Sequence, residues 1–367
     1  MVESMVLEVK APANVKISGE HSVVYGGPSL AAAIEIFATA KVEDTGADTL
    51  QIELEDLGVS ASLDSAKLKK LYKEYSGRSK DMTKKPMERS GLSKYIENNA
   101  ELGKEVLPYA TIAARLLVEQ GISPIGKRIT IHSDVPIQKG YASSSVCSTA
   151  FAMALIRSSE KSMDDQEVID IIRDGERVVH HVETAGRMDV GPAYFGGYAI
   201  VSRERGIQPA NIQTGINVIV IDTGPKPPTS EMVAKVRELY DKDTAGTESI
   251  LKAMDACVLK CIEALKSGDI EGLGRHMSEN HELLRKLGVS SERLDKAVSV
   301  ALANGALGAK LCGGGGGGMG IALVRNAADA KKVIKALKEN GFDANSISIT
   351  FTGAKGSVRH GRPITKI

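Results

Sequence analysis

Six consecutive glycines, Gly313 to Gly318, stand between Lys310-Leu311-Cys312 and Met319-Gly320. A run like this has no side chains and accepts positive φ, at a considerable entropic cost on folding. A chain that keeps it needs a tight turn there, or a backbone that another backbone or a ligand approaches very closely; both readings stand at this point. Gly313, Gly315 and Gly318 also spell G-x-G-x-x-G. That fingerprint must open a helix, whereas Gly320-Ile321-Ala322-Leu323-Val324 reads as a strand, so a dinucleotide fold does not follow.

A second cluster of glycine and hydroxyls is Pro136-Ile137-Gln138-Lys139-Gly140-Tyr141-Ala142-Ser143-Ser144-Ser145, after a strand and directly before an apolar-periodic helix carrying Val146, Ala150, Phe151 and Ala154. Free N–H groups and the positive end of the helix dipole at such a junction favour phosphate. Serine hydroxyls add donors and oxygen ligands for Mg²⁺. The alternative is that the serines are only helix caps. No G-x-x-x-x-G-K-[ST] occurs in the chain, so a P-loop is not the explanation.

Composition narrows the function classes. Among 367 residues, 47 Lys plus Arg face 46 Asp plus Glu, a net charge of +1, so no global basic field exists to hold nucleic acid or an anionic membrane. No apolar run approaches the ~20 residues of a membrane helix. Met1 to Lys10 lacks the apolar core of a secretory signal. Four cysteines, Cys147, Cys257, Cys261 and Cys312, make a poor disulfide framework and suggest a reducing compartment. The expectation is a cytoplasmic globular protein.

Hydrophobic periodicity predicts strands at 6–9 and 15–17, a small-residue helix from Leu30 to Ile36, and a hairpin from 39–42 and 50–54. Helices are predicted at 66–75, 105–120, 144–157 and 165–181, with strands at 128–132, 198–202 and 217–222. From Ser230 to Asn304 the pattern is mostly helical, with breaks near Gly246, Gly268 and Gly288; the end reads strand, glycines, strand, helix, strand. Arg78, Lys80, Lys84, Lys85 and Arg89 crowd a polar stretch that is either a solvated loop or a flap over an anionic site. Strands, then helices, then strands again predict an α+β fold of two lobes, 1–190 and 191–367.

These two loops, with the opening Ala11-Pro12-Ala13-Asn14-Val15-Lys16-Ile17-Ser18-Gly19-Glu20-His21-Ser22-Val23-Val24-Tyr25-Gly26, resemble the three ordered motifs of the GHMP small-molecule kinases. Gly305 to Leu311, Gly175 to His180, Leu284 to Val289 and Thr352-Gly353-Ala354 resemble the mevalonate kinase branch. The likeness covers the chain except for the charged segment near 56–102. It implies an N-terminal ribosomal-S5-like α/β lobe and a C-terminal α/β sandwich lobe. It further implies ATP at Lys139, Gly140, Ala142, Ser143, Ser144 and Ser145, with Mg²⁺ near Ser144 and Glu176. Asp189 matches the family's catalytic Asp, while Glu20, His21, Gly314 and Gly315 fall at substrate-proximal positions. A homodimer is one assembly the resemblance allows.

Departures from the family pattern sharpen the expectation. Asn14 stands where the family's lysine is usual, and a lysine follows at Lys16. In a strand, 14 and 16 share a face, so either Lys16 reaches the same cavity or the lysine role is absent. The stretch from His181 to Asp189 is two residues longer than the family's and contains Arg187; Gln138, Lys139, Lys355 and Arg359 add further polar or basic groups. A planar guanidinium at Arg187 suits bidentate phosphate binding. The expected activity is therefore transfer to the 5-hydroxyl of mevalonate 3-phosphate, with Asp189 and Lys16 catalytic. The alternatives are a kinase acting on mevalonate itself, and a non-catalytic ATP or metabolite sensor. Cys257 and Cys261 are expected in a helix core, and Lys226 and Thr229 resemble a family segment near the cleft.

Overall fold

The computed structural model describes residues 6–77, 91–136, 140–181, 185–202, 206–357 and 359–360. Among these, two sheets organise the chain. The first is built on β1 (Leu7–Ser18) and β2 (Ser29–Asp44), paired antiparallel through most of their length. β3 (Thr49–Leu54) and β4 (Val59–Asp64) form an antiparallel hairpin at the far side. Next come helices α1 (Ser65–Ser76), α2 (Gly91–Asn98) and α3 (Gly103–Glu119). β5 (Lys127–Ser133) then inserts between β2 and β3, antiparallel to the former and parallel to the latter. The helices α4 (Ser143–Ser158), α5 (Asp165–His180) and α6 (Val190–Phe195) follow, before β6 (Tyr198–Ser202) and β7 (Gly206–Pro209). β6 pairs with Ser29–Ala32 of β2, so both strands belong to the first sheet.

The second sheet holds β8 (Asn217–Asp222), β9 (Gly308–Leu311), β10 (Met319–Val324) and β11 (Asp343–Ser348) in the order β11-β8-β10-β9, all antiparallel. Between β8 and β9 run α7 (Thr229–Lys242), α8 (Thr244–Ser267), α9 (Ile270–Lys286) and α10 (Glu292–Ala303). α10 and α11 (Ala327–Glu339) cover the sheet through Ile219, Ile221, Val324, Val333 and Leu337. α9 touches both β1 and β9, and so joins the two sheets. Finally β12 (Arg359–His360) returns to the edge of β1. The chain passes from the first sheet to the second between Pro209 and Asn217.

Two sequence expectations fail for one reason. The alanine-rich stretch after Pro28 is strand rather than helix, and 39–42 does not form a hairpin with 50–54. Alanine favours helix locally, but β2 pairs with β1, β5 and β6 and is buried along Leu30–Ile34, and tertiary pairing overrides so weak a propensity. Its small side chains leave room for α4, which packs across β1 and β2 and is buried from Ser145 to Ile156. A helix enclosed on all sides reads as apolar all round, and this one does. The predicted break at Gly246 also moves: Asp243 caps α8, accepting from Gly246 N at 3.0 Å. All four cysteines are buried and free. The basic cluster Arg78 to Arg89 lies outside the described residues, and among those described no helix is long and apolar enough to cross a membrane.

Candidate active site

β1 carries the first part of the site. With side chains alternating across the strand, Asn14 and Lys16 face one way, and both reach the residue that precedes α6. Asn14 Nδ2 donates to the Asp189 carbonyl at 3.1 Å, and Lys16 Nζ lies 2.5 Å from Asp189 Oδ1. Burial opposes charge on Lys16, but the Asp189 carboxylate, aided by Cys312 and Glu20, leaves its pKa raised. Lys16 is therefore a fixed cation at neutral pH, and Asp189 is the only member of the pair that can accept a proton. The backbone N–H of Lys16 donates to Cys312 Sγ at 3.1 Å, which ties the strand to the entrance of the glycine run.

The serine loop supplies the second part. Gly140 has φ +98°, and Ala142, a non-glycine residue, sits at φ +63° before α4 begins. Left-handed non-glycine backbone is costly and persists where the surroundings over-determine it. Ser143 starts the helix, and the hydroxyls of Ser144 and Ser145 both donate to Glu176 Oε2, the first at 3.1 Å. Glu176 and His180 share a face of α5 at i and i+4, with His180 Nε2 3.5 Å from the same oxygen. Burial works against a charged His180, and Glu176 outweighs it, so its pKa is raised. Among the described residues, buried Glu176 Oε1 has no hydrogen-bond partner. An orphaned carboxylate oxygen beside two hydroxyls is a donor set that fits a hard divalent cation. Among the described residues no group of three or more His, Cys, Asp or Glu could hold a metal, and Glu176 with the serine hydroxyls leaves positions for phosphate or water ligands. Lys139 and Gln138 lie outside the described residues.

The glycine run closes the third side. It is the hairpin between β9 and β10, shut by Cys312 N donating to Met319 O at 2.8 Å. The two readings of the run meet here, since the turn is tight because other backbone crowds it. A Cβ at Gly315 would stand 2.1 Å from Val289 O, and one at Gly317 would stand 2.3 Å from Pro225 O. Gly314 presents its carbonyl to His21 Nε2 at 3.0 Å. A carbonyl only accepts, so Nε2 carries the proton and Nδ1 is left as an acceptor. Burial lowers the His21 pKa, against the Gly314 carbonyl and Glu20, so the ring is neutral at pH 7.

Glu20 is placed differently from a free substrate contact. Its carboxylate is fully enclosed, ion-paired with Lys310 and 3.4 Å from Asn280 Nδ2. Lys310 also donates to Leu311 O at 2.7 Å. The sequence marks Lys310 only as part of a resembling segment; a charged residue in the middle of an otherwise apolar strand was the signal that it needed a buried partner. Arg187 is half-buried near Arg173, whose pKa falls to about 10 through burial and the neighbouring Arg177 and Arg187. Lys355 is engaged elsewhere, 2.6 Å from Asp165 Oδ2. Burial pushes the Cys147 thiol up to about 11, which leaves it unsuited to nucleophilic work.

Comparison with known proteins places the chain in a family. Residues 108–197 match the GHMP kinases N terminal domain, and residues 261–343 match GHMP kinases C terminal. The chain is 30% identical over 332 residues to a mevalonate kinase of Pyrococcus horikoshii, covering 88% of this chain and 91% of that protein. It is 30% identical over 351 residues to one of Pyrococcus furiosus, covering 94% and 96%. The Methanococcus jannaschii mevalonate kinase structure superposes with a TM-score of 0.73 at 25% identity, covering 93% of this chain and 98% of that one. The fold of an L. major mevalonate kinase in complex with R-mevalonate is also shared, with a TM-score of 0.70 at 22% identity and coverage of 94% and 96%. The chain belongs to the GHMP kinases, phosphotransferases with an alcohol acceptor, and within them it resembles mevalonate kinase.

Proposed function

We propose that this chain transfers the terminal phosphoryl group of ATP to the 5-hydroxyl of a mevalonate-type substrate, and that mevalonate 3-phosphate is the preferred one. The observation that carries the transfer is the meeting of Lys16 with Asp189 at the end of β1. Asp189 accepts the proton as the substrate O–H bond breaks; the oxygen bonds to the γ-phosphorus, the bond to the β,γ-bridging oxygen breaks, and ADP leaves. Lys16 holds the Asp189 carboxylate in place and contributes positive charge near the oxygens on which negative charge builds. Asn14 fixes the backbone of Asp189 from the same strand face.

Gly140, Ala142 and Ser143–Ser145 are the residues we assign to the triphosphate, with free N–H groups and the α4 dipole favouring the anion. Ser144 and Glu176 are assigned to Mg²⁺, which when bound neutralises phosphate charge and orients the β- and γ-phosphates. His21, Gly314 and Gly315 line the substrate side. His21 Nδ1 would accept from a substrate hydroxyl, and Glu20 acts there through its enclosed pair with Lys310.

The preference for an already phosphorylated substrate rests on Arg187. It lies two positions before Asp189 and near Arg173, while Arg177, also near Arg173, is already paired with Asp170 and Asp174. Neighbouring guanidinium groups at Arg173 and Arg187 suit a second phosphate. Mevalonate itself is the second reading, favoured by the names of the relatives and by the engagement of Lys355 with Asp165. A coupled assay of ADP release with mevalonate, mevalonate 3-phosphate and mevalonate 5-phosphate side by side tests the choice. Mevalonate 3-phosphate should give the highest kcat/KM, and a clearly higher value for mevalonate would replace the preferred reading with the second.

A further inference from the structure

The cations of the site are not equally matched. Lys16 is paired with Asp189 and Lys310 with Glu20. His180 stands beside Glu176. Lys226, half-buried between β8 and α7, has no ion pair and no hydrogen bond among the described residues.

Its position is set by the glycine hairpin. Gly318 N donates to Gly224 O at 3.1 Å, and Thr223 N donates back to Gly318 O at 2.8 Å, so the 223–226 segment is strapped to the turn. A Cβ at Gly318 would lie 2.9 Å from Lys226 Cδ, which means the absent side chain is what lets the lysine stem lie across the hairpin. At the far end, Lys226 Nζ lies 3.9 Å from where a Cβ on Gly140 would be, directly over the serine loop. The same ammonium is within electrostatic reach of Lys16 and Asp189. Burial, and then Lys16, depresses its pKa, against Asp189 and Cys312. A bound anion would relieve both penalties.

We propose that Lys226 Nζ binds the terminal phosphoryl group of the nucleotide, so that the hairpin delivers a cation to the group in transit. One group must lie between the serine loop and Asp189 during transfer, and it is that phosphoryl. Lys226 Nζ stands over the serine loop and within electrostatic reach of Asp189. This inference rests on the kinase reading of the site.

Lys226→Met keeps an apolar stem against Gly318 and removes the charge; Lys226→Arg keeps the charge. With Mg²⁺ present, titration calorimetry with β,γ-imido-ATP and with ADP separates the possibilities. Loss of a charge-assisted contact should weaken the ATP analogue by about tenfold or more in Lys226→Met, leave ADP within about twofold, and be partly restored in Lys226→Arg. The inference is overturned if Lys226→Met binds both nucleotides as the wild type does. It is equally overturned if Met and Arg variants weaken both ligands alike with a lowered unfolding midpoint, the mark of a purely structural strap. Wild-type protein that binds neither nucleotide would overturn the kinase reading and this inference together.

Discussion

Lys16 Nζ and Asp189 Oδ1 stand 2.5 Å apart, one on a central strand and the other at the entrance to a short helix. On the proposed mechanism, the pair would divide the labour of transfer between a permanent cation and a proton acceptor. Replacing Asp189 with Asn removes the acceptor and should lower kcat by about 10²-fold or more. Lys16→Met should lower it comparably, and the double variant should lose much less than the product of the two, because the residues act as a unit. Steady-state ADP release measures all three; additive losses would separate the two roles.

Glu20 and Lys310 form a pair with almost no solvent contact, their side chains 2% and 0% exposed. Lys310→Met leaves an enclosed carboxylate without its ion-pair partner, and should cost about 3–5 kcal/mol in urea unfolding. Removing the second charge as well, with Glu20→Gln, should recover part of that loss. A single variant as stable as the wild type would contradict the enclosure.

The glycines of the hairpin are not equivalent. Gly313 has φ +90° and open space around the missing Cβ, whereas Gly315 has φ +84° and Val289 O where the methyl would go. Gly313→Ala should cost about 1–2 kcal/mol from backbone strain alone. Gly315→Ala should cost more, since Val289 O must move while it also accepts from Gly316 N. Denaturant midpoints of the two variants provide the comparison, and equal losses would argue against the close approach.

His21 predicts a pH dependence with a definite sign. Its folded pKa is lowered from 6.5, so the unfolded chain takes up the proton first as pH falls. Its contribution is therefore complete above about pH 6.5 and is lost as pH falls toward the folded value. The stability advantage of the wild type over His21→Asn should shrink on going from about pH 7.5 to about pH 5.5. Unfolding free energies of both proteins across that window measure it; a constant difference would show that His21 does not titrate there.

On the proposed reading, substrate choice turns on Arg187. Arg187→Met should raise KM for mevalonate 3-phosphate by about tenfold or more, while the constants for mevalonate change little. Arg187→Lys should fall between, since a point charge cannot reproduce the bidentate geometry. Parallel losses on both substrates would remove the discriminating role.

Much of this was legible in local pattern. The strand after the glycines, the helix after the serines and the shared face of Asn14 and Lys16 all follow from the identity and spacing of near neighbours, because periods of 2 and 3.6 are fixed by backbone geometry over a few residues. Tertiary structure alone decided that alanine-rich β2 is a strand, that β5 separates β2 from β3, and that Glu20 answers Lys310 across 290 positions. Those outcomes depend on which distant surfaces remain to be buried once the chain closes on itself, and burial at such range leaves no period in the sequence to read.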